Sequence, residues 1–341
     1  MKTGILICNI GTPKAPDRDS VKEYLDEFLM DKRVIGAPWI IRYPLVKWLI
    51  TPRRSSSSAK KYQSVWMKEG SPLLVYTHRL VQNLQRTLGQ NVVVRTAMRY
   101  SSPSLLSVLN EMRSLDVKEL LIVPMFPQFA EATTGSLMAT FQEIDKKNEF
   151  KKTFFPTFYN HSLFIESFAE ITRDTLRQSQ FKPDHYLFSY HGLPESQVRA
   201  AAPQCLRESN CCELPTSCLM NCYRAQCVSS TKSLARALGI SEENYSISFQ
   251  SRLGPVKWIE PYTEDSLVEL AQKGKNLAVI CPSFVTDCIE TLEEIGLEGA
   301  EIFQKSGGKG FKLIPCLNDH TVWSENFAKM LLNAIEDIKK E

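Results

Sequence analysis

Short runs built almost wholly of apolar residues recur along the chain, with amphipathic stretches of helical period between them. The runs are Thr3–Ile10, Val92–Arg99, Glu119–Phe126, Tyr186–His191, Tyr245–Ser251, Leu277–Cys281 and Phe311–Cys316. Runs that are apolar throughout, rather than alternating, suit strands covered on both faces, and helices between them supply the crossovers of a parallel sheet. The helical stretches include Ser162–Arg177, Thr231–Leu238, Ser266–Lys273 and Asp287–Ile295. The pattern predicts an α/β fold of the doubly wound kind.

The order of these units repeats. The first half reads TGILICNIGTP, VVVRTAMRYSSP and LLIVPMFPQFAEATTGSLMATFQEI; the second reads YLFSYHGLPE, YSISFQSRLGP and LAVICPSFVTDCIETLEEI. A chain of 341 residues has room for about two domains. The expectation is two similar Rossmann-like parallel-sheet domains, with ligand chemistry in a cleft between them at the carboxyl ends of the strands. Residues 1–160 form the first domain, 161–320 the second, and 321–341 a C-terminal helix.

Charge excludes one class of partner. Lys plus Arg is 41 and Asp plus Glu is 38, a formal net charge of +3, too balanced for a chain whose main partner is nucleic acid. The longest apolar candidate, Ala37–Ile50, is broken by Arg42 and Lys47, and a spanning helix needs about 18 uninterrupted residues. The opening apolar run stops at Gly11 and Pro13, unlike a secretory signal. A cytoplasmic protein is expected, with any membrane contact peripheral, at the inner face, and through residues 37–50. There Trp39, Ile40, Ile41, Leu45, Val46, Trp48, Leu49 and Ile50 lie among Arg42, Lys47, Arg53 and Arg54. That mixture suits an interfacial segment or the lip of a pocket for an apolar ring; a plain core helix is the alternative.

Chemistry concentrates at the strand ends. His191 closes YLFSYH, and the Gly-Leu-Pro turn after it places the imidazole where a general base would stand. Glu290 follows LAVICPSF at the start of the next helix, with Glu293 and Glu294 close behind. Asp287 three residues before Glu290 is also a capping-box pattern, so helix capping is the competing role. Arg99 and Tyr100 end the second strand of the first half. Gln128, Thr133, Thr134 and Ser136 follow its third, and together they make a wall of donors suited to a flat anionic substrate. Trp258 and Tyr262 lie after the matching strand of the second half.

Six of the ten cysteines fall between positions 205 and 227: Cys205, Cys211, Cys212, Cys218, Cys222 and Cys227. The stretch offers little to bury, and cytoplasmic cysteines seldom form disulfides. A thiolate-bound metal would hold it together, zinc or an iron–sulfur cluster. No histidine lies within it.

These motifs resemble those of the ferrochelatases. SYHGLP around His191, PMFPQFAEATTGS, FQSRLGPVKWIEP and FVTDCIETL carry the resemblance, with TGILICNIGTP, EGSPLLVYT and AMRYSSP in the same order. It implies a class II chelatase-like fold and an enzyme that inserts Fe²⁺, its substrate, into protoporphyrin IX or coproporphyrin III to form haem. It further implies that His191 and Glu290 are the catalytic pair and bind the incoming iron, and that Arg99, Tyr100, Ser136 and Trp258 line the porphyrin site. Many relatives carry histidine two residues before the glutamate, where this chain has Cys288. The cysteine-rich insert resembles that of a bacterial subgroup with an internal [2Fe-2S] cluster. Its ligands are four of Cys205, Cys211, Cys212, Cys218 and Cys222, with Cys227 outside the set.

Metallation must remove two pyrrole protons, and histidine is the natural base near neutral pH. Two other readings compete: a chelatase for another tetrapyrrole or metal, and a non-enzymatic haem or porphyrin carrier with a redox-sensing cluster. A carrier has no need of a base and a carboxylate together at the strand ends.

Overall fold

The structure is a computed structural model describing residues 2–147, 149–203, 205–206, 211–212 and 221–340, with the side chains of 337–340 excepted. It divides into two compact units. One comprises residues 1–126, 130–156 and 319–341; the other comprises 127–129 and 157–318.

The first unit runs β1 (Lys2–Gly11), α1 (Arg18–Leu29), α2 (Trp39–Pro44), a π-helical segment (Leu45–Ile50), α3 (Thr51–Val65), α4 (Pro72–Leu88), β2 (Val92–Tyr100), α5 (Leu105–Ser114), β3 (Val117–Pro124), a π-helical turn (Glu131–Gly135), α6 (Ser136–Ile144) and β4 (Lys151–Phe154). The sheet order is β2-β1-β3-β4, all parallel. Ile5, Leu6, Ile7 and Cys8 of β1 are wholly buried, as expected of a central strand covered on both faces. Leu6, Ala97, Leu109, Met112, Ile122, Leu137 and Phe141 form one core.

The second unit runs α7 (Ser162–Gln178), β5 (His185–His191), α8 (Glu195–Ala201), α9 (Tyr223–Leu238), a 3₁₀ turn (Glu242–Asn244), β6 (Tyr245–Gln250), α10 (Thr263–Gln272), β7 (Asn276–Ile280), a π-helical segment (Glu290–Gly299), α11 (Ala300–Lys305) and β8 (Gly310–Leu313). Its sheet order is β6-β5-β7-β8, again all parallel. Leu187, Leu267, Leu277, Val279, Ile295 and Phe303 pack its core. The last helix, α12 (Thr321–Lys340), belongs to the first unit, where Phe327 meets Phe155 edge-on.

The two units repeat one another in detail. Each has the same strand order, a left-handed serine just past its second strand (Ser101 and Ser251, both φ 68), and a π-helical segment after its third strand. The internal repeat read from the sequence is a repeat of topology.

Several elements differ from expectation. Strand β4, KKTF, carries two lysines and lies at a sheet edge, so no apolar run announces it. Helix α9 begins eight residues earlier than Thr231. Its first turns carry Gln226, Cys227 and Ser230 on a buried face, where Gln226 accepts from Phe129 N (2.7 Å) and Ser230 donates to Tyr159 O (2.7 Å). Polar residues satisfied inside the fold leave no hydrophobic period. Residues 37–50 are not one core helix either. Pro44 marks a change from α2 to the π-helical segment. Val46 anchors it at 0% exposure, while Trp39 (62%), Ile40 (76%) and Trp48 (74%) face solvent.

Candidate active site

The second unit holds His191 and Glu290. Strand β5 is flanked by β6 and β7, and its last residue, His191, pairs in register with Gln250. Both main-chain polar groups of His191 are taken by side chains: its N–H donates to Ser283 Oγ (3.1 Å), and its carbonyl accepts from the Tyr223 hydroxyl (2.8 Å). Gly192 follows because a Cβ there would stand 2.8 Å from the Gln250 carbonyl and 3.2 Å from the Trp258 ring.

The imidazole sits between two aromatic rings, with centroids 6.4 Å from Trp258 and 6.3 Å from Phe284. Its Nδ1 lies 2.6 Å from the Gly192 carbonyl. A carbonyl can only accept, so Nδ1 carries a proton, and in the neutral imidazole Nε2 is then the basic nitrogen. Trp258 is held in turn by a bond from Nε1 to Leu253 O (3.1 Å).

Glu290 is the first residue of the π-helical segment, whose start has no side-chain cap. The capping role weighed for it is not realised. The Asp287 carboxylate accepts from Thr291 Oγ1 (2.8 Å), Asn318 Nδ2 (2.7 Å) and the Cys316 N–H (3.3 Å), joining the loop after β7 to that after β8. Glu294, one turn beyond Glu290, accepts from Ser251 Oγ (2.5 Å). Burial pushes its carboxyl up; the Ser251 hydrogen bond and the charge of His191 oppose this, and the charge of Glu290 adds to it. The net shift is upward. Glu294 therefore lies within electrostatic reach of both His191 and Glu290, with the Cys288 thiol in hydrogen-bond reach of Glu290.

In the first unit, Arg99, Tyr100 and Ser136 converge on Asp31. Arg99 Nη2 pairs with Asp31 Oδ2 (2.6 Å), and Arg99 Nε donates to Ser136 Oγ (2.7 Å). The Ser136 (2.5 Å) and Tyr100 (3.0 Å) hydroxyls donate to the same Asp31 oxygen. Ser136 is 0% and Tyr100 1% exposed, so neither faces solvent as a cleft wall would; the partly exposed Arg99 does. The network borders an open hollow of about 540 Å³ lined by Glu23, Glu27, Asp31, Lys47 and Arg99. Gly11 closes the strand beside it, at φ +116, where a Cβ would collide with the Tyr100 carbonyl. Gln128, expected on the same wall, is buried in the second unit and donates to Ser230 Oγ (3.0 Å).

Of the cysteine-rich stretch, Cys218 lies outside the described residues. Cys205 and Cys222 are buried with their sulfurs 2.7 Å apart. Cys222 caps α9 by accepting from Ala225 N (3.5 Å), and Cys212 accepts from Arg224 Nη1 (3.1 Å). The neighbouring Cys222 and burial push the Cys212 thiol up. Cys211 is half-buried, and Cys227 is buried within α9 itself. Among the described residues, no three His, Cys, Asp or Glu side chains form a ready-made metal site, and no disulfide joins the nine described cysteines.

Asp31, Gln250, Tyr223 and Phe284 were not singled out from sequence. Asp31 meets partners 68, 69 and 105 positions away, and no local pattern marks such a residue. Gln250 stands inside the FQSRLGP motif, which was its one visible signal.

Two four-stranded parallel α/β units, the second with a histidine at a strand end and carboxylates on the segment after its third strand, make a protein of the chelatase fold. Among solved structures, the sirohydrochlorin chelatase SirB from Bacillus subtilis subspecies spizizenii, in complex with cobalt, has the same fold. The TM-score is 0.57 at 7% identity, over 100% of this chain and 98% of that one. The ferrochelatase family model matches residues 2–335. A ferrochelatase of Bdellovibrio bacteriovorus is 46% identical over 333 residues, 97% of this chain and 98% of the relative. One of Coxiella burnetii is 42% identical over 340 residues, 98% and 94%. The chain belongs to the ferrochelatase family.

Proposed function

We propose that His191 and Glu290 carry out the reaction of this family, insertion of ferrous iron into protoporphyrin IX or coproporphyrin III to form haem. The chain is a porphyrin metal chelatase, a lyase. Porphyrin and Fe²⁺ are its substrates, and two pyrrole protons leave as the metal enters. Nε2 of His191 accepts a pyrrole proton, since Nδ1 is committed to the Gly192 carbonyl. Glu290 meets the incoming Fe²⁺ as a hard oxygen donor. Glu294, raised by burial, takes up protons more readily than an ordinary carboxylate and passes them toward solvent. Trp258, itself buried, packs near the imidazole, and the partly exposed Phe284 offers apolar surface to the macrocycle. Arg99 offers its guanidinium to a propionate, with Tyr100 and Ser136 acting only through the Asp31 network that fixes it.

A strand-end imidazole whose Nδ1 is committed to the Gly192 carbonyl, within electrostatic reach of Glu294, is the observation that carries this reading. Anaerobic incubation of the pure protein with protoporphyrin and Fe²⁺ tests it. Haem formation is expected; porphyrin binding with no metal insertion would instead favour the carrier.

The donor chemistry of the insert fits a [2Fe-2S] cluster. Cys205 and Cys222 are in contact, Cys212 neighbours Cys222, Cys211 competes with Cys212 for one place, and Cys218 is the remaining thiol. These four, Cys205, Cys212, Cys218 and Cys222, would hold it. A bound cluster would supply a one-electron redox centre and a crosslink across an otherwise core-poor segment.

Among the described residues no helix is long and apolar enough to cross a membrane. Trp39, Ile40, Ile41, Trp48 and Leu49 nevertheless form an exposed apolar group beside Arg53 and Arg54, the composition of a peripheral contact with an anionic bilayer. That suits a cytoplasmic protein working at the inner face of the membrane.

A further inference from the structure

We propose that Gln250 is the positioning residue that sets His191 and Glu290 at their working geometry, an inference that rests on the catalytic roles given above. Gln250 is the last residue of β6 and is 3% exposed. Each of its polar groups is engaged toward one side of the site. Its main-chain carbonyl accepts from Gly192 N (2.8 Å), holding the turn that follows His191. Its Nε2 donates to the Glu290 carbonyl (2.8 Å), the start of the π-helical segment. Its Oε1 accepts from Ser189 Oγ (2.7 Å), two residues before His191 on β5.

The orientation of the carboxamide is not free. Only the NH₂ end can face the Glu290 carbonyl, so the oxygen must face Ser189. Ser189 in turn lies 2.9 Å from Thr263 Oγ1, which donates to Ser248 Oγ (2.9 Å), and all three are buried. One side chain thus links the strand carrying the base to the segment carrying the carboxylate, through groups that cannot exchange with water. A strand and the loop opening onto a π-helical segment share no backbone ladder at this point. The Gln250 carboxamide takes the place of one.

Gln250 touches neither reacting group, so its loss should act on turnover and leave ground-state binding alone. The test is steady-state metal insertion by the whole protein, with porphyrin affinity measured separately by fluorescence quenching. Gln250→Met keeps length and removes both hydrogen bonds; Gln250→Glu keeps length and removes the donor. Both are expected to lower kcat about tenfold to a hundredfold, as misplacement of catalytic groups does. The KM and Kd for porphyrin should stay within about twofold, and the pH–rate profile should move. Ser189→Ala, which removes the contacts to Gln250 and Thr263 but leaves the Gln250–Glu290 bond, covers the case in which the Gln250 variants do not fold; it is expected to lower kcat severalfold with KM unchanged. Folded Gln250 variants with the wild-type kcat and pH profile would overturn the proposal. So would a loss confined to KM, or, if those variants do not fold, a Ser189→Ala protein with unaltered kcat. A wild-type protein that binds porphyrin but inserts no metal would sink the catalytic reading itself, a separate result.

Discussion

The hydroxyl of Tyr223 donates a 2.8 Å hydrogen bond to the main-chain carbonyl of His191, and Tyr223 is the first residue of α9, directly after the capping residue Cys222. The cysteine-rich insert is therefore tied mechanically to the candidate base. A centre holding Cys222 would fix the start of α9, and through it the backbone of His191. Tyr223→Phe removes that bond, together with the hydroxyl's interactions with Cys227 and Ser283. It is expected to cost about 1 kcal/mol in stability and to lower kcat severalfold, read by thermal unfolding and by insertion rates. Unchanged kcat would show that the tie carries no functional weight.

His191→Ala should abolish metal insertion, falling by at least about a hundredfold, while porphyrin still binds. Glu290→Gln should also lower turnover far more than melting temperature, because Asp287 and Thr291, not Glu290, make the hydrogen bonds at that helix start. A large drop in melting temperature with full activity would return Glu290 to a structural role.

The Asp31 network predicts an acid dependence of stability. Burial pushes the Asp31 carboxyl up, but hydrogen bonds from Ser136, the Arg33 N–H and Tyr100, with the charge of Arg99, outweigh it and hold the group below the usual carboxylate range. A depressed folded value stabilises the fold above the unfolded value, near about 3.9, and that contribution is lost as pH falls through the lower folded value. Asp31→Asn should therefore destabilise the protein by about 2 kcal/mol at neutral pH. The penalty should shrink as pH drops below about 4, measured by denaturant unfolding across pH. An equal penalty at every pH would contradict the assignment.

Single Cys→Ser changes at Cys205, Cys212, Cys218 and Cys222 should each bleach the visible absorption of anaerobically purified protein, while Cys227→Ser, inside α9, should leave it. Colourless wild-type protein carrying one zinc per chain would replace the cluster by zinc without touching the chelatase reading.

Replacing the exposed Trp39 and Trp48 by Ser should weaken binding to anionic liposomes by several-fold in a sedimentation assay, with little change in melting temperature. A loss of folding would mean that these rings are packed after all.

The sequence by itself determined the α/β class, the repeat, and the placement of His191 and Glu290 at strand ends. Each of these is written locally: apolar runs buried on both faces, a Gly-Leu-Pro turn, a carboxylate at a helix start. Strand β4 escaped because a sheet edge tolerates lysines, and the early turns of α9 escaped because their buried face is polar and satisfied by partners distant in sequence. Only the tertiary structure withdrew Tyr100 and Ser136 from solvent to serve Asp31, chose a π-helical turn for Glu290 over a capped α-helix, and gathered Cys205 with Cys222. Only it linked Gln250 both to the turn after His191 and to the start of the segment carrying Glu290. Hydrogen bonds that span tens of positions depend on how strands and helices stack in three dimensions, and the local periodicity of a chain carries no record of them.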